Sequence, residues 1–293
     1  MNYEEQIQRL VSISKTKPLL PENYVPWETP IDQKELFMPD ELVSLYGLPE
    51  FDLLTGQQKR EISRHEIVQV MYSYAWSESL LCLFLNRYIL SLKTRQVEYQ
   101  FLLRELIEEF RHQEMFSKAI EKLDGSALAP TRMHKIIGQF TVSRLPHDIT
   151  FMCCLAIEML ADRYGDLVRK TPHIYPVIKK LLDLHNIEEA RHILFTKLML
   201  EKYVSKAGFI KRTIYSYTIL INIYFFRTLY VKEQIYQRSG VANARHFYEK
   251  ANSNYKKIFG KTCLNDIKEF VHEIHGFNWA TRWAWRIFLK AEI

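Results

Sequence analysis

Residues 104–123 read RELIEEFRHQEMFSKAIEKL, and the spacing of their apolar positions decides the fold. Leu106 and Phe110, then Phe116, Ala119, Ile120 and Leu123, recur at three- and four-residue intervals, which is the period of one helix face. The same period runs outward from this stretch and predicts long helices over 58–92, 97–123, 147–170 and 175–203. Pro130, Pro146, Pro172 and Pro176 fall at the joints, and only Gly125, Gly138 and Gly165 interrupt the region. Beyond Gly208 further helices are expected over 209–237, 242–258 and 263–289, with Trp279, Trp283 and Trp285 read as packing residues. No strand-like alternation competes, so the expected class is all-α with a central four-helix bundle.

Six of the ten prolines, from Pro18 to Pro49, lie in the first 50 residues. Residues 1–56 are therefore expected to form an irregular arm with short turns. Residues 57–206 form the bundle in this division, and 207–293 supply C-terminal helices packed on it. At 293 residues, 47% hydrophobic and 25% charged, the chain has the composition of a folded globular protein. The net charge of +6 is spread through Glu/Lys/Arg mixtures and gives no support to nucleic-acid binding. Thr213 to Phe226 is the most lipid-like stretch, but 14 residues fall short of the roughly 20 a membrane span requires. Cys82, Cys153, Cys154 and Cys263 form no CxxC pair, and the N-terminal MNYEEQIQRL has no apolar signal region, so a cytoplasmic setting is expected. The HEIH at 272–275 lacks partners at helical spacing and reads as a surface or packing pair.

The chemistry lies in an internal repeat. EEFRH at 108–112 returns as EEARH at 188–192, an offset of 80, and Glu78 and Glu158 stand 30 residues before each copy. Each of those two glutamates is the single charged residue in a long apolar run. A carboxylate there must be protonated, ion-paired or bound to a metal. Glu78 and Glu109 are 31 apart with their midpoint at Lys93 and Thr94, and Glu158 and Glu189 are 31 apart with theirs at His173 and Ile174. If each midpoint is a turn, the two glutamates of a hairpin return to the same height. Glu109 and His112, like Glu189 and His192, share a helix face at i, i+3.

Four glutamates and two histidines thus converge in the pattern of dinuclear carboxylate proteins. Glu109 and Glu189 are the expected bridging ligands, Glu78 and Glu158 the terminal ones, and His112 and His192 serve one metal each. Oxygen and nitrogen donors without thiolate suit two iron ions, with manganese the alternative. Glu108, Glu188, Arg111 and Arg191 repeat with the motif and are expected around the ligands, where imidazole N–H groups need acceptors from the neighbouring hairpin. His185 breaks the symmetry. It lies four before Glu189 and seven before His192, on the same face, and is expected as a seventh ligand; the position 80 earlier is Glu105. Tyr74, Cys82, Phe116 and Cys154, each about one helical turn from a ligand, read as core rather than as pocket residues.

With this His185, Glu189, His192 spacing the chain resembles the bacterial diiron N-oxygenases typified by para-aminobenzoate N-oxygenase, the AurF type within the ferritin-like superfamily. The resemblance covers 58–203 and extends loosely to both ends. It implies one iron held by Glu78, Glu109 and His112 and the other by Glu158, His185 and His192, with Glu109 and Glu189 spanning both. It further implies O2 as co-substrate, an external electron donor, and a small-molecule amine, free or carrier-bound, oxidised to hydroxylamine, nitroso or nitro. A hydroxylase or desaturase acting on carbon and a ferritin-like ferroxidase are the alternatives. Length weighs against simple iron storage, because about 145 residues lie outside the bundle. A homodimer is the candidate assembly.

Overall fold

The computed structural model describes residues 1–16, 18–32 and 35–293. Among them the sole extended pairing is one parallel bridge between Leu36 and Ile174. The rest is helix and connection. The bundle consists of α4 (Gly56–Ile89), α5 (Val97–Lys122), α7 (His147–Lys170) and α8 (Pro176–Val204). Before it come α1 (Tyr3–Thr16) and the single turns α2 (Pro21–Tyr24) and α3 (Pro49–Asp52), and α6 (Arg132–Arg144) is inserted between the two halves. After it come α9 (Phe209–Arg227), α10 (Glu233–Arg238), α11 (Ala244–Thr262), α12 (Asn265–Glu273) and α13 (Trp279–Ala284), which runs into a π turn at Trp285–Leu289.

Helices α4 and α5 pair along their length, as do α7 and α8, and the hairpins meet through α5 against α8 and α4 against α7. Local signals set the ends. The Thr55 hydroxyl accepts from Gln58 N while the Gln58 side chain returns to Thr55 N, a capping box that starts α4. Pro176 opens α8 at a position where its missing N–H is no loss. The α7–α8 turn carries His173 at φ 60°, a left-handed conformation uncommon outside glycine. The arm steadies it: Leu36 N donates to His173 O at 2.9 Å, and Tyr175 N to Leu36 O at 2.8 Å. Close approach of α7 and α8 depends on Gly165, where a Cβ would stand 2.2 Å from Asn186 Oδ1, while Asn186 Nδ2 is bound to Asp162 O at 2.8 Å.

Three details depart from the pattern read in the sequence. The arm begins with a 14-residue helix, α1, packed on α5 and α8, because the proline cluster starts only at Pro18. The 124–146 connection contains α6, which has one buried residue, Val142, and so too weak an apolar period to announce itself. Of the three C-terminal helices expected, 242–258 is continuous as α11, whereas 209–237 is broken after Arg227 and 263–289 at His275 (φ 53°) and Gly276. That break turns Trp279 and Trp283, one helical turn apart, outward at 85% and 59% exposure, so of the three tryptophans only Trp285 packs, with Nε1 on Ser216 Oγ at 3.2 Å. His272 and His275 are exposed. No helix of the described residues is long and apolar enough to cross a membrane; α9 packs along α7.

Candidate metal centre

Seven side chains, Glu78 of α4, Glu109 and His112 of α5, Glu158 of α7, and His185, Glu189 and His192 of α8, meet in the bundle interior, and all seven are buried. The two hairpin turns span residues 90–96 and 171–175, around the midpoints that the repeat predicts. Two clusters result. In the first, His185 Nε2 is 3.1 Å from Glu78 Oε1 and 3.4 Å from Glu189 Oε1, and His112 Nδ1 is 3.8 and 3.6 Å from the same two oxygens. In the second, His192 Nδ1 is 2.9 Å from Glu109 Oε1 and 3.6 Å from Glu189 Oε1. Each cluster can hold one ion, with Glu189 common to both.

This grouping differs from the pairing implied by the resemblance, which joined His185 to Glu158 and His192. His185 and His192 are seven residues apart, roughly 10 Å along the helix axis. Glu189 lies between them. His185 stands at the end of the cluster that holds Glu78 and His112, while Glu158 is in neither compact group but interacts electrostatically with Glu189, Glu105, His192 and Glu109.

Around the clusters the repeat writes a crossed pattern. His112 Nε2 meets Glu188 Oε2 at 3.0 Å and His192 Nε2 meets Glu108 Oε2 at 2.9 Å, each from one hairpin to the other. Arg111 reaches Glu188 at 3.1 Å and Arg191 reaches Glu108 at 2.9 Å. An imidazole that donates from Nε2 turns a lone pair toward the centre at Nδ1. At His112 that lone pair faces carboxylate oxygens; at His192, despite burial, the contacts with Glu108, Glu109 and Glu189 draw the ring well above its usual value, so that Nδ1 carries a proton toward Glu109 Oε1 at 2.9 Å. Both oxygens of Glu158 and Oε2 of Glu78, Glu109 and Glu189 have no hydrogen-bond partner. Acceptors packed against acceptors repel unless protons or cations lie between them. The donor set, all carboxylate and imidazole, fits iron or manganese.

Electrostatics follow the same logic. Burial, then the Glu189 charge, pushes Glu78 and Glu158 well above the ordinary carboxylate range, and burial with Glu189 takes Glu109 to about 8. Burial, reinforced by Glu108, takes Glu188 to about 7. Burial also opposes ionisation of Glu108, yet the His192 hydrogen bond and charge, with Arg191 and Ser14, hold it at about 2. Glu189 stays low despite burial because His185 and His192 face it. His112 is driven well below its usual value by burial and by its histidine neighbours.

Two participants escaped the sequence reading. Ser14 of α1 donates to Glu108 Oε1 at 2.9 Å, a contact that no local pattern could announce. Glu105, the counterpart of His185 at the offset of 80, is buried with Oε2 unpartnered, and burial takes it to about 8. The repeat was its signal. A cavity of about 100 Å³ opens against Glu78, Glu109, Glu158, Glu189 and His185, roofed by α6 and α9. Tyr74 and Cys154, which the sequence assigns to core, line it, whereas Cys82 and Phe116 pack away from it. Tyr74 also lies parallel to the His185 ring, centroids 6.0 Å apart.

Fold and cluster together define a ferritin-like protein of the dinuclear carboxylate class. The chain belongs to the AurF family, described as P-aminobenzoate N-oxygenase AurF, which matches residues 1–275. A solved structure of an R2-like ligand-binding oxidase mutant with an anaerobically reconstituted Mn/Fe cofactor shares the fold at a TM-score of 0.52 and 14% identity, over 85% of this chain and 92% of that one. Uncharacterized proteins of Mycobacterium bovis and Mycobacterium tuberculosis are 23% identical over 207 residues, 68% of this chain. The match spans 61% of the length of those curated relatives.

Proposed function

We propose that the chain is a dinuclear iron oxygenase that transfers one oxygen atom of O2 to the nitrogen of a small-molecule amine. The observation that carries the reading is the convergence of unpartnered carboxylate and imidazole lone pairs at the head of a largely apolar cavity. Glu78, His112 and His185 would hold one ion, Glu158 and His192 the other, with Glu109 and Glu189 between them. Bound iron would supply O2 activation and redox chemistry at this point.

The chain's own groups supply the rest. Burial of all seven ligands excludes bulk water from the centre. The Glu188 and Glu108 carboxylates fix the tautomers of His112 and His192, and Arg111 and Arg191 balance the charge of those carboxylates. The cavity walls hold the substrate body so that its nitrogen points at the carboxylate cluster. Balanced for one turnover, amine, O2, two electrons and two protons give hydroxylamine and water, the electrons coming from an external donor. A cavity of this kind has no use in iron storage.

The test loads the protein anaerobically with ferrous iron, adds an aromatic amine and ¹⁸O2, and analyses products by mass spectrometry. Label on nitrogen supports the reading. Label on carbon would assign a hydroxylase, and iron oxidation indifferent to amine a ferroxidase.

A further inference from the structure

We infer that the substrate is an amine with a neutral, apolar body, and that the cavity rejects a carboxylate-bearing amine such as para-aminobenzoate itself. This rests on the N-oxygenase reading and names its substrate class. The charged residues lining the cavity are glutamates of the metal cluster; neither lysine nor arginine is among the lining residues described. Once two divalent ions offset four carboxylates, the cavity has no residual positive charge to meet an anion.

Its polar walls are already committed. Ser77 Oγ donates to Tyr74 O at 2.9 Å, Thr141 Oγ1 to Ile137 O at 2.9 Å, and Asn222 Nδ2 to Cys153 O at 2.8 Å. His134 has Nδ1 on Thr131 Oγ1 at 2.6 Å and Nε2 on Thr228 Oγ1 at 2.7 Å. These side chains thus face backbone carbonyls or threonine hydroxyls, and the Tyr74 hydroxyl is left without a partner. Basic side chains on the surrounding helices lie outside the lining: Arg87 donates to Leu145 O, Arg163 to Thr262 O and the buried Arg227 of α9 to Phe288 O with its Nη2 unpartnered, Lys211 pairs with Asp148 at 2.7 Å, and Arg132, Lys135 and Arg144 of α6 are exposed.

A carboxylate brought into such a space loses its hydration and finds no lysine or arginine among the lining residues described; the Tyr74 hydroxyl, which has no hydrogen-bond partner, is a neutral donor and does not offset a buried charge. An aryl or alkyl body meets what the walls offer. Leu80, Leu81, Ile137, Val142, Ile157 and Phe226 supply apolar contact, and Gly138 leaves α6 close over α4, since a Cβ there would stand 2.5 Å from Leu80 Cδ1.

The experiment compares para-aminobenzoate, its methyl ester and para-toluidine, which share ring and amine, as ligands of the full chain loaded with redox-silent zinc. Binding is read by calorimetry and needs no turnover. At least tenfold tighter binding of toluidine or the ester than of the acid is expected. Equal or tighter binding of the acid, or binding of none of the three, overturns the inference. The two readings fail separately: a neutral amine that binds preferentially yet gains no oxygen on nitrogen in the iron-loaded protein refutes N-oxygenation and leaves the preference standing.

Discussion

His112 Nε2 and Glu188 Oε2 stand 3.0 Å apart across the seam between the two hairpins, and His192 repeats the contact with Glu108 in the opposite sense. Each half of the repeat therefore orients the imidazole of the other. This interlock ties the metal-binding geometry to correct docking of the hairpins, because an imidazole in the wrong tautomer presents N–H rather than a lone pair to the ion.

Glu188→Ala should accordingly lower metal affinity by about 10- to 100-fold while the helical content is kept. Competition titration with a chelator, alongside circular dichroism, makes the measurement. An unchanged affinity would assign Glu188 to the Arg111 and Arg191 ion pairs alone.

His185→Ala should act on one ion and not on the other, since His185 contacts Glu78 and Glu189 while His192 stands with Glu109. The expected result is a loss of affinity confined to one of two binding steps, read by manganese titration followed with electron paramagnetic resonance. Equal weakening of both steps would contradict the grouping.

The legible part of this protein was what the repeat encodes. Two copies of Glu-x-x-His, each with a lone glutamate in an apolar run 31 residues earlier, specify hairpins, face and convergence. What stayed hidden depends on contacts between elements distant in sequence. The side of Glu189 on which His185 stands follows from how the two hairpins dock and bring Glu78 within 3.1 Å of it, which spacing along α8 alone does not encode. Helix α6, the cavity's roof, is amphipathic only weakly because it covers a cavity rather than a packed core, leaving Met133, Ile136 and Phe140 exposed. Glu66 carries no motif or repeat that would single it out, yet it is buried and anchors the arm through Ser44.

Metal loading should release protons near neutral pH. Burial keeps Glu78 and Glu158 well above the usual carboxylate range and Glu109 at about 8, so at pH 7 the metal-free centre carries protons on its acids. An incoming divalent ion must displace them. Affinity for zinc or manganese should rise with pH between about 6 and 8, where the calorimetric heat should depend on the ionisation enthalpy of the buffer. A buffer-independent heat at pH 7 would show the carboxylates already ionised.

Stability should fall with pH through a second carboxylate, Glu66. It accepts from Ser44 N at 3.0 Å and from the Ser44 hydroxyl, with Tyr236 OH 3.3 Å away, which ties the arm to α4 and α10. Burial raises it to about 7 against these hydrogen bonds. A folded-state value above the unfolded one means that the native protein keeps a proton the unfolded chain has lost. The contribution is therefore complete below pH 4.5 and is lost as pH rises to about 7, amounting to roughly 3 kcal/mol at 1.36 kcal/mol per pH unit. Glu66→Gln keeps the shape without the titration, so its unfolding free energy relative to the wild type should climb by that amount between pH 4.5 and 7.5. Denaturant titrations of both proteins across this interval isolate Glu66 from the metal ligands, which titrate alike in the two. A constant difference would mean that Glu66 is ionised in the folded protein throughout.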